Sequence, residues 1–301
     1  MAAEPDIIGQ VVAAHGRHYV VELPDGSHHH CFPRGKRSLA AVGDFVNIAF
    51  TGHDEGIIER ILPRKNVLFR SDDMRSKLFA TNVDQLFIVV ATEPPFSVDL
   101  VSRALVAAFT AGIAPVIILN KADIAEGLAA ARQQLDWVDA IGVEVITLSA
   151  IDTEHTKHQL LDRLANKTTL LLGQSAMGKS TILNSLVPHA QATTQEHSRA
   201  LGAGRHTTTT TRLYRLPEHQ ASLIDSPGFQ TFGLHHLDAD DLITGFPEFL
   251  SGGHTCRFYN CSHRHEPGCD VIARLERGDI VPHRHALYKR LLSEQERKTH
   301  Y

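Results

Sequence analysis

Asn120-Lys121-Ala122-Asp123 comes before Gly173-Gln174-Ser175-Ala176-Met177-Gly178-Lys179-Ser180 in this chain. The later stretch has the form Gly-x-x-x-x-Gly-Lys-Ser, a phosphate-binding loop. The earlier one has the form Asn-Lys-x-Asp, the motif with which GTPases grip guanine. In an ordinary switch of that kind the phosphate loop comes first and the base-reading motif last. Here the order is reversed, so the chain ends fall at a different place in the same sheet. That reversal decides the expected fold, a circularly permuted P-loop GTPase, and it determines what the nucleotide can control through the segments attached to the new ends.

The neighbourhood of each motif supports the reading. Leu170-Leu171-Leu172 leads into Gly173, and a helical pattern resumes at Lys179. Backbone N–H groups of such a loop converge on phosphates, and the helix that follows presents its positive end. Lys179 is expected to reach the β- and γ-phosphates and Ser180 to hold Mg²⁺, with Thr181 continuing the loop. Val116-Ile117-Ile118-Leu119 precedes Asn120. Asp123 can accept from guanine N1–H and N2–H₂, a donor pair that adenine lacks, so a buried carboxylate there would be left unpaired by the wrong base. Asn120 is expected to orient the base, the Lys121 stem to cover one face, and Ser149-Ala150 to offer a backbone N–H to the guanine carbonyl. Read alone, Asn120 to Asp123 is also a capped helix start.

Asp225-Ser226-Pro227-Gly228 follows Leu223-Ile224 and supplies the Asp-x-x-Gly element. Asp225 is expected near Mg²⁺ and Gly228 at the γ-phosphate. Upstream, Gly204-Arg205-His206-Thr207-Thr208-Thr209 lies in a loop, and one threonine, taken here as Thr208, is expected on Mg²⁺. Phe229 occupies the position where many GTPases carry a water-positioning glutamine. His206 is the candidate for that work, because imidazole can hydrogen-bond water near neutral pH.

The chain has 301 residues, 43% hydrophobic, with a net charge of -4, so any attraction to nucleic acid must come from local patches. No apolar run reaches the ~18 residues needed to span a bilayer. The acidic start, Met1-Ala2-Ala3-Glu4-Pro5-Asp6, lacks the regions of an export signal, and a cytoplasmic location is expected. Short apolar runs over 7–70, separated by turn residues, predict about five strands closed into a barrel. An OB-fold or an SH3-like barrel would fit, and the OB form is the one expected. Residues 82–233 alternate strand and helix in a doubly wound α/β layout, and the motifs sit where strands end. One helix is predicted over 125–141 and another over 282–298. The division expected is 1–70, an OB-fold β-barrel; 71–235, the permuted GTPase domain; and 236–301, a helical zinc-binding domain.

That last segment contains Cys256-x-x-x-x-Cys261-x-His263-x-x-x-x-x-Cys269. Three thiolates and an imidazole make a closed tetrahedral Zn²⁺ site with a structural role. His254 and His265 are rival ligands by spacing. From 251 to the end there are nine Lys/Arg against six Asp/Glu, which makes this part the better electrostatic candidate for RNA.

A barrel, Asn-Lys-x-Asp, the phosphate loop, Gly-Arg-His-Thr-Thr, Asp-Ser-Pro-Gly and the Cys/His spacing together resemble the ribosome small subunit-dependent GTPase A (RsgA) family. The resemblance covers nearly the whole chain. It implies a GTPase, slow alone and stimulated by the small ribosomal subunit, that acts late in 30S maturation and binds 16S rRNA. Carried over, it places guanine recognition on Asn120, Lys121 and Asp123, phosphate binding on 173–181, and zinc on Cys256, Cys261, His263 and Cys269. Two departures stand out. Ala176 replaces a common second loop glycine, which should stiffen the loop. The barrel begins almost at Met1, so ribosome contacts of a long basic N-terminal arm are not expected. A monomer is the expected state. Two other functions fit parts of the pattern: a P-loop ATPase or kinase, and a nucleotide-regulated RNA-binding module with little turnover.

Overall fold

In the computed structural model, which describes residues 7–35, 40–71, 76–187, 190, 211–228, 234, 236–251 and 255–299, the first apolar runs become five strands. They are β1 (Ile7–His15), β2 (His18–Glu22), β3 (His28–Pro33), β4 (Phe45–Phe50) and β5 (Glu55–Ile61). Alternation along them turns Val11, Tyr19, Val21, Cys31, Val46, Ile48 and Ile58 inward as one apolar core. The strand order is β1-β2-β3-β5-β4, and β4 returns to pair with β1. The β3–β5 pair is parallel. This closed order is that of the OB-fold, which settles the choice between barrels.

A hairpin beyond the five expected strands comes next, β6 (Val67–Ser71) and β7 (Ser76–Thr81). It is joined to the barrel by Asp44, which is fully buried. The Asp44 carboxylate accepts from Arg64 at 2.7 and 2.8 Å, from Ala41 N at 2.8 Å and from Thr81 Oγ1 at 2.8 Å. A buried charge is tolerable when paired and hydrogen-bonded in this way.

The central sheet uses β8 (Gln85–Ala91), β9 (Ala114–Asn120), β10 (Glu144–Thr147), β11 (Thr168–Leu172), β12 (Arg212–Leu216) and β13 (Ala221–Asp225). Its order is β10-β9-β8-β11-β13-β12, parallel except for β12. Helices α1 (Val98–Thr110), α2 (Leu128–Gln133), α3 (Thr153–Leu164) and α4 (Lys179–Leu186) connect the strands. β8 is buried along its whole length, as a central strand covered on both faces must be. The helix predicted over 125–141 is broken: α2 starts at left-handed Gly127, and Asp136–Ile141 is a separate 3₁₀ segment. β12 also pairs with β1 through Ala13 and Arg212, so sheet and barrel are continuous.

The C-terminal part contains α5 (Ala239–Thr244), α6 (Pro247–Leu250), α7 (Asp270–Arg277) and α8 (Pro282–Thr299). It shares an apolar core with the sheet, a single cluster that includes Phe246, Leu287 and Leu291 together with Leu105 and Ala108 of α1. Arg284 is fully buried and clamps the junction. Its guanidinium donates to Glu248 at 2.6 and 3.2 Å, to Ser102 O at 3.2 Å and to Gly245 O at 3.1 Å. It also stacks 4.4 Å from the Phe246 ring. Among the described residues no helix is long and apolar enough to cross a membrane.

Arg284→Ala leaves Glu248 charged and unpaired in this interior, and urea unfolding should show a loss of about 3–5 kcal/mol. The double change Arg284→Met with Glu248→Leu should recover most of that loss.

Candidate nucleotide site and metal centre

Four strands end at one edge of the sheet and deliver the motifs there. β11 ends at Leu172 and the loop 173–178 follows it into α4. The loop needs its glycines. A Cβ on Gly173 would lie 2.3 Å from Val89 O, and one on Gly178 would lie 2.1 Å from Asn120 Nδ2. Gly178 has a φ of 92° and Ala176 has a φ of 68°. Ala176 therefore holds a left-handed conformation that costs an alanine about 1–2 kcal/mol.

Asn120 ends β9 and is 1% exposed. Its Nδ2 donates to Met177 O at 3.0 Å, and its Oδ1 accepts from Ala150 N at 2.9 Å. One side chain thus joins the Asn-Lys-x-Asp segment, the phosphate loop and the Ser149-Ala150 loop. Ser185 on α4 reinforces the joint by donating to Ala150 O at 2.9 Å. Ser149 Oγ donates to the Asp123 carboxylate, which is exposed. Lys121, with a φ of 60°, donates from Nζ to Glu93 O at 2.7 Å, and Thr92 Oγ1 holds the Lys121 carbonyl at 2.9 Å.

Lys179 is 8% exposed, and its ammonium donates to Gly173 O at 2.8 Å and to Gln174 O at 2.9 Å. Asp225 ends β13, adjacent to β11 in the sheet, and is 2% exposed. Its Oδ1 has no hydrogen-bond partner among the described residues. Gly228 lies so close to the loop that a Cβ there would meet Ser175 Oγ at 2.7 Å. Burial lowers the Lys179 ammonium to about 8, against the pull of Asp225. Burial raises the Asp225 carboxyl to about 6, despite Lys179 and the Ser226 N–H. Two charges in a poorly solvated edge, one with an unused oxygen, form a site suited to an anion and a cation together. His206, Thr207, Thr208 and Phe229 lie outside the described residues.

The second cluster caps α7. The ligand atoms of Cys256, Cys261, His263 and Cys269 all lie within 4.8 Å of one another. Cys256 Sγ is 3.9 Å from Cys269 Sγ, and His263 Nδ1 is 3.6 Å from Cys256 Sγ and 3.4 Å from Cys269 Sγ. A tetrahedron of thiolates about 2.3 Å from a metal has edges of about 3.8 Å, so this spacing fits a single ion. The Asp270 N–H points at Cys256 Sγ, 3.3 Å away, as outer-shell donors to thiolates do. Burial raises the Cys261 thiol to about 12, which a bound cation would reverse. The Glu266 carboxylate knits the loop by accepting from the N–H groups of Ser262, Arg264 and His265. His265 itself is exposed and outside the group, and His254 lies outside the described residues.

A model of the RsgA GTPase family matches residues 61–235. The chain is 60% identical over 286 residues to the small ribosomal subunit biogenesis GTPase RsgA of Bordetella pertussis, covering 95% of each. It is 54% identical over 288 residues to the Burkholderia pseudomallei protein of that name, covering 95% of this chain and 91% of that one.

The chain belongs to the RsgA GTPase family.

Solved structures agree in architecture across the whole length. YjeQ from Thermotoga maritima superposes with a TM-score of 0.73 at 26% identity, covering 96% of this chain and 98% of that one. YloQ, described as a circularly permuted GTPase, gives 0.70 at 22% identity, covering 99% and 97%. Family membership makes this chain a GTP-hydrolysing enzyme. Sequence reasoning missed the internal supports of the site, namely Thr92, Ser185 and the contact in which Gln174 Oε1 accepts from Ser97 N at 2.9 Å. Isolated polar residues in loops, at a helix cap or on a helix face give no signal of such a partner.

The folded state holds the Asp225 proton more tightly than the unfolded chain does. That group's contribution to the stability of the nucleotide-free protein is therefore complete below about pH 4 and lost as pH rises through about 6. Denaturant unfolding should show the wild-type advantage over Asp225→Asn shrinking by about 1–3 kcal/mol across that window. A constant gap would place the titration elsewhere.

Proposed function

We propose that this chain hydrolyses GTP to GDP and phosphate during maturation of the small ribosomal subunit, is stimulated by that subunit, and binds 16S rRNA. The supporting observation is the 3.0 Å hydrogen bond from Asn120 to Met177 O, which sets a guanine-reading segment against a phosphate loop. Guanine N1–H and N2–H₂ donate to Asp123, and the Ala150 region lines the carbonyl side of the base. Loop N–H groups from 173–181 receive the phosphates. Lys179 leaves its two carbonyls for the β- and γ-phosphates, whose charge offsets the cost of its burial. The water oxygen bonds to the γ-phosphorus as the bridging P–O bond to GDP breaks; one water proton stays on the phosphate product and the other passes to bulk solvent.

Ser180 and Thr208 are proposed to hold Mg²⁺ directly and Asp225 through water; the ion would supply charge neutralisation on the β- and γ-oxygens. The unused Asp225 Oδ1 supports that assignment. His206 is proposed to position the water, and Gly228 to donate its N–H to the γ-phosphate. The four-ligand cluster is proposed to hold one structural Zn²⁺, because no ligand position remains open for substrate. The protein is proposed to act in the cytoplasm as a monomer, in three units over 1–70, 71–235 and 236–301.

GTP turnover should rise on adding purified small subunits, and Lys179→Ala should lower it about 10²–10³-fold. Unchanged turnover with subunits would remove the partner from this account. Asp123→Asn should weaken GTP binding by two or more orders of magnitude, roughly the cost of an unmatched polar group, with ATP binding unaffected. Metal analysis should find one zinc per chain, and Cys269→Ala should lose it together with several degrees of thermal stability.

A further inference from the structure

Gln174 makes two contacts that lead in different directions. Its carbonyl is one of the two that hold the Lys179 ammonium, at 2.9 Å. Its side-chain oxygen accepts from the Ser97 N–H at 2.9 Å. Ser97 is the N-cap of α1, with its hydroxyl accepting from Leu100 N at 3.3 Å. The start of α1 is thereby tied to the phosphate loop by a side chain from far along the sequence. A small cavity bounded by Val89, Leu100, Val101, Ala104, Gly173 and Gln174 lies between the helix and the loop beside this tie. Close packing is therefore incomplete where the tie is made, and small movements are cheaper there than in a filled core.

α1 is also the platform of the C-terminal part. Arg284 of α8 donates to Ser102 O on α1 at 3.2 Å. Arg103 donates to Glu294 of α8 at 2.8 Å and to Asp99 at 3.0 Å, and Arg290 of α8 reaches Asp99 as well. A Cβ on Gly245, at the end of α5, would meet Val106 of α1 at 2.6 Å. α8 in turn supports the four-ligand cluster, since the His285 ring contacts His263 O at 2.7 Å. α1 thus has one end on the phosphate loop and its flank under the metal-binding part.

We infer that Gln174 is a positioning residue that passes nucleotide occupancy from the phosphate loop, through Ser97 and α1, to the docking of α8. This rests on the nucleotide-site reading, and it assigns that site a route to the C-terminal part. The two-position element is Lys179. On its carbonyls it fixes the Gln174 peptide; on a phosphate it releases that peptide, and the Gln174 side chain transfers the change to the first turn of α1. A ligand can bias docking only through such a differential contact.

Amide hydrogen exchange over 282–299 tests the route on the full-length, metal-loaded protein, nucleotide-free and with a non-hydrolysable GTP analogue. In the wild type the two states should differ about fivefold or more in exchange rate, the usual scale of allosteric coupling. Ser97→Pro removes the N–H, whereas Ser97→Ala removes only the hydroxyl. The proline variant should bring the two states within about twofold, and the alanine variant should keep the wild-type difference. Gln174→Leu, which cannot accept, should behave as the proline variant and covers the case in which proline disturbs folding, as judged by thermal melting. Calorimetric nucleotide binding is measured alongside. Binding with no state difference in the wild type, or a full difference in Ser97→Pro and Gln174→Leu, overturns the inference. Failure to bind GTP instead overturns the nucleotide-site reading.

Discussion

Everything at the motif-bearing edge of the sheet hangs on the Asn120 carboxamide. It is out of water, and it spends its oxygen on the Ala150 N–H and a donor on the Met177 carbonyl. Either group left unmatched at this depth would cost about 1–3 kcal/mol. The interaction therefore forces three loops, widely separated in sequence, into one register. It also explains why Gly178 must be glycine, since the amide nitrogen occupies the space a side chain would need. Asn120 braces the site from within, while Asp123 is exposed and accepts only from Ser149 Oγ among the described residues.

Because this joint acts through space, chain order is irrelevant to it. The parallel strands β8, β9, β11 and β13 deliver their loops to one edge whichever is made first. Permutation changes what the sheet is bolted to. Asp225 runs on toward the C-terminal helices. β12, which follows the threonine-rich segment, pairs with both β13 and the barrel strand β1. Arg215 on β12 strengthens that seam through Ser222 and Gln10. The barrel and the part that carries the Cys/His group are thus attached to one sheet at different places, the barrel through β12 and the C-terminal helices through α1.

The sequence was most legible where function demands fixed local spacing. The phosphate loop, Asn-Lys-x-Asp and Asp-x-x-Gly need particular residues at particular offsets, and the spacing of Cys256, Cys261, His263 and Cys269 foretold a group that the fold gathers within 4.8 Å. Alternation revealed the barrel strands, and closure of β4 onto β1 then decided the barrel type. Legibility failed where polarity and burial part company. Arg284, Glu248 and Asp44 read as surface residues yet lie in the interior, because their partners come from distant segments. The hairpin of β6 and β7 was missed because each strand holds only one short apolar run beside a basic residue, and left-handed Gly127 broke a helix that apolar spacing favoured. Ala176 illustrates a subtler limit. Its replacement of a glycine was visible, but its φ of 68° was not.

The most direct measurement is a crystal structure with Mg²⁺ and a non-hydrolysable GTP analogue. One nucleotide should span the edge, with its guanine within hydrogen-bond reach of Asp123 and its β- and γ-phosphates against Lys179. A base bound away from Asp123, or an anion on the loop belonging to a different molecule from the purine, would contradict the shared site.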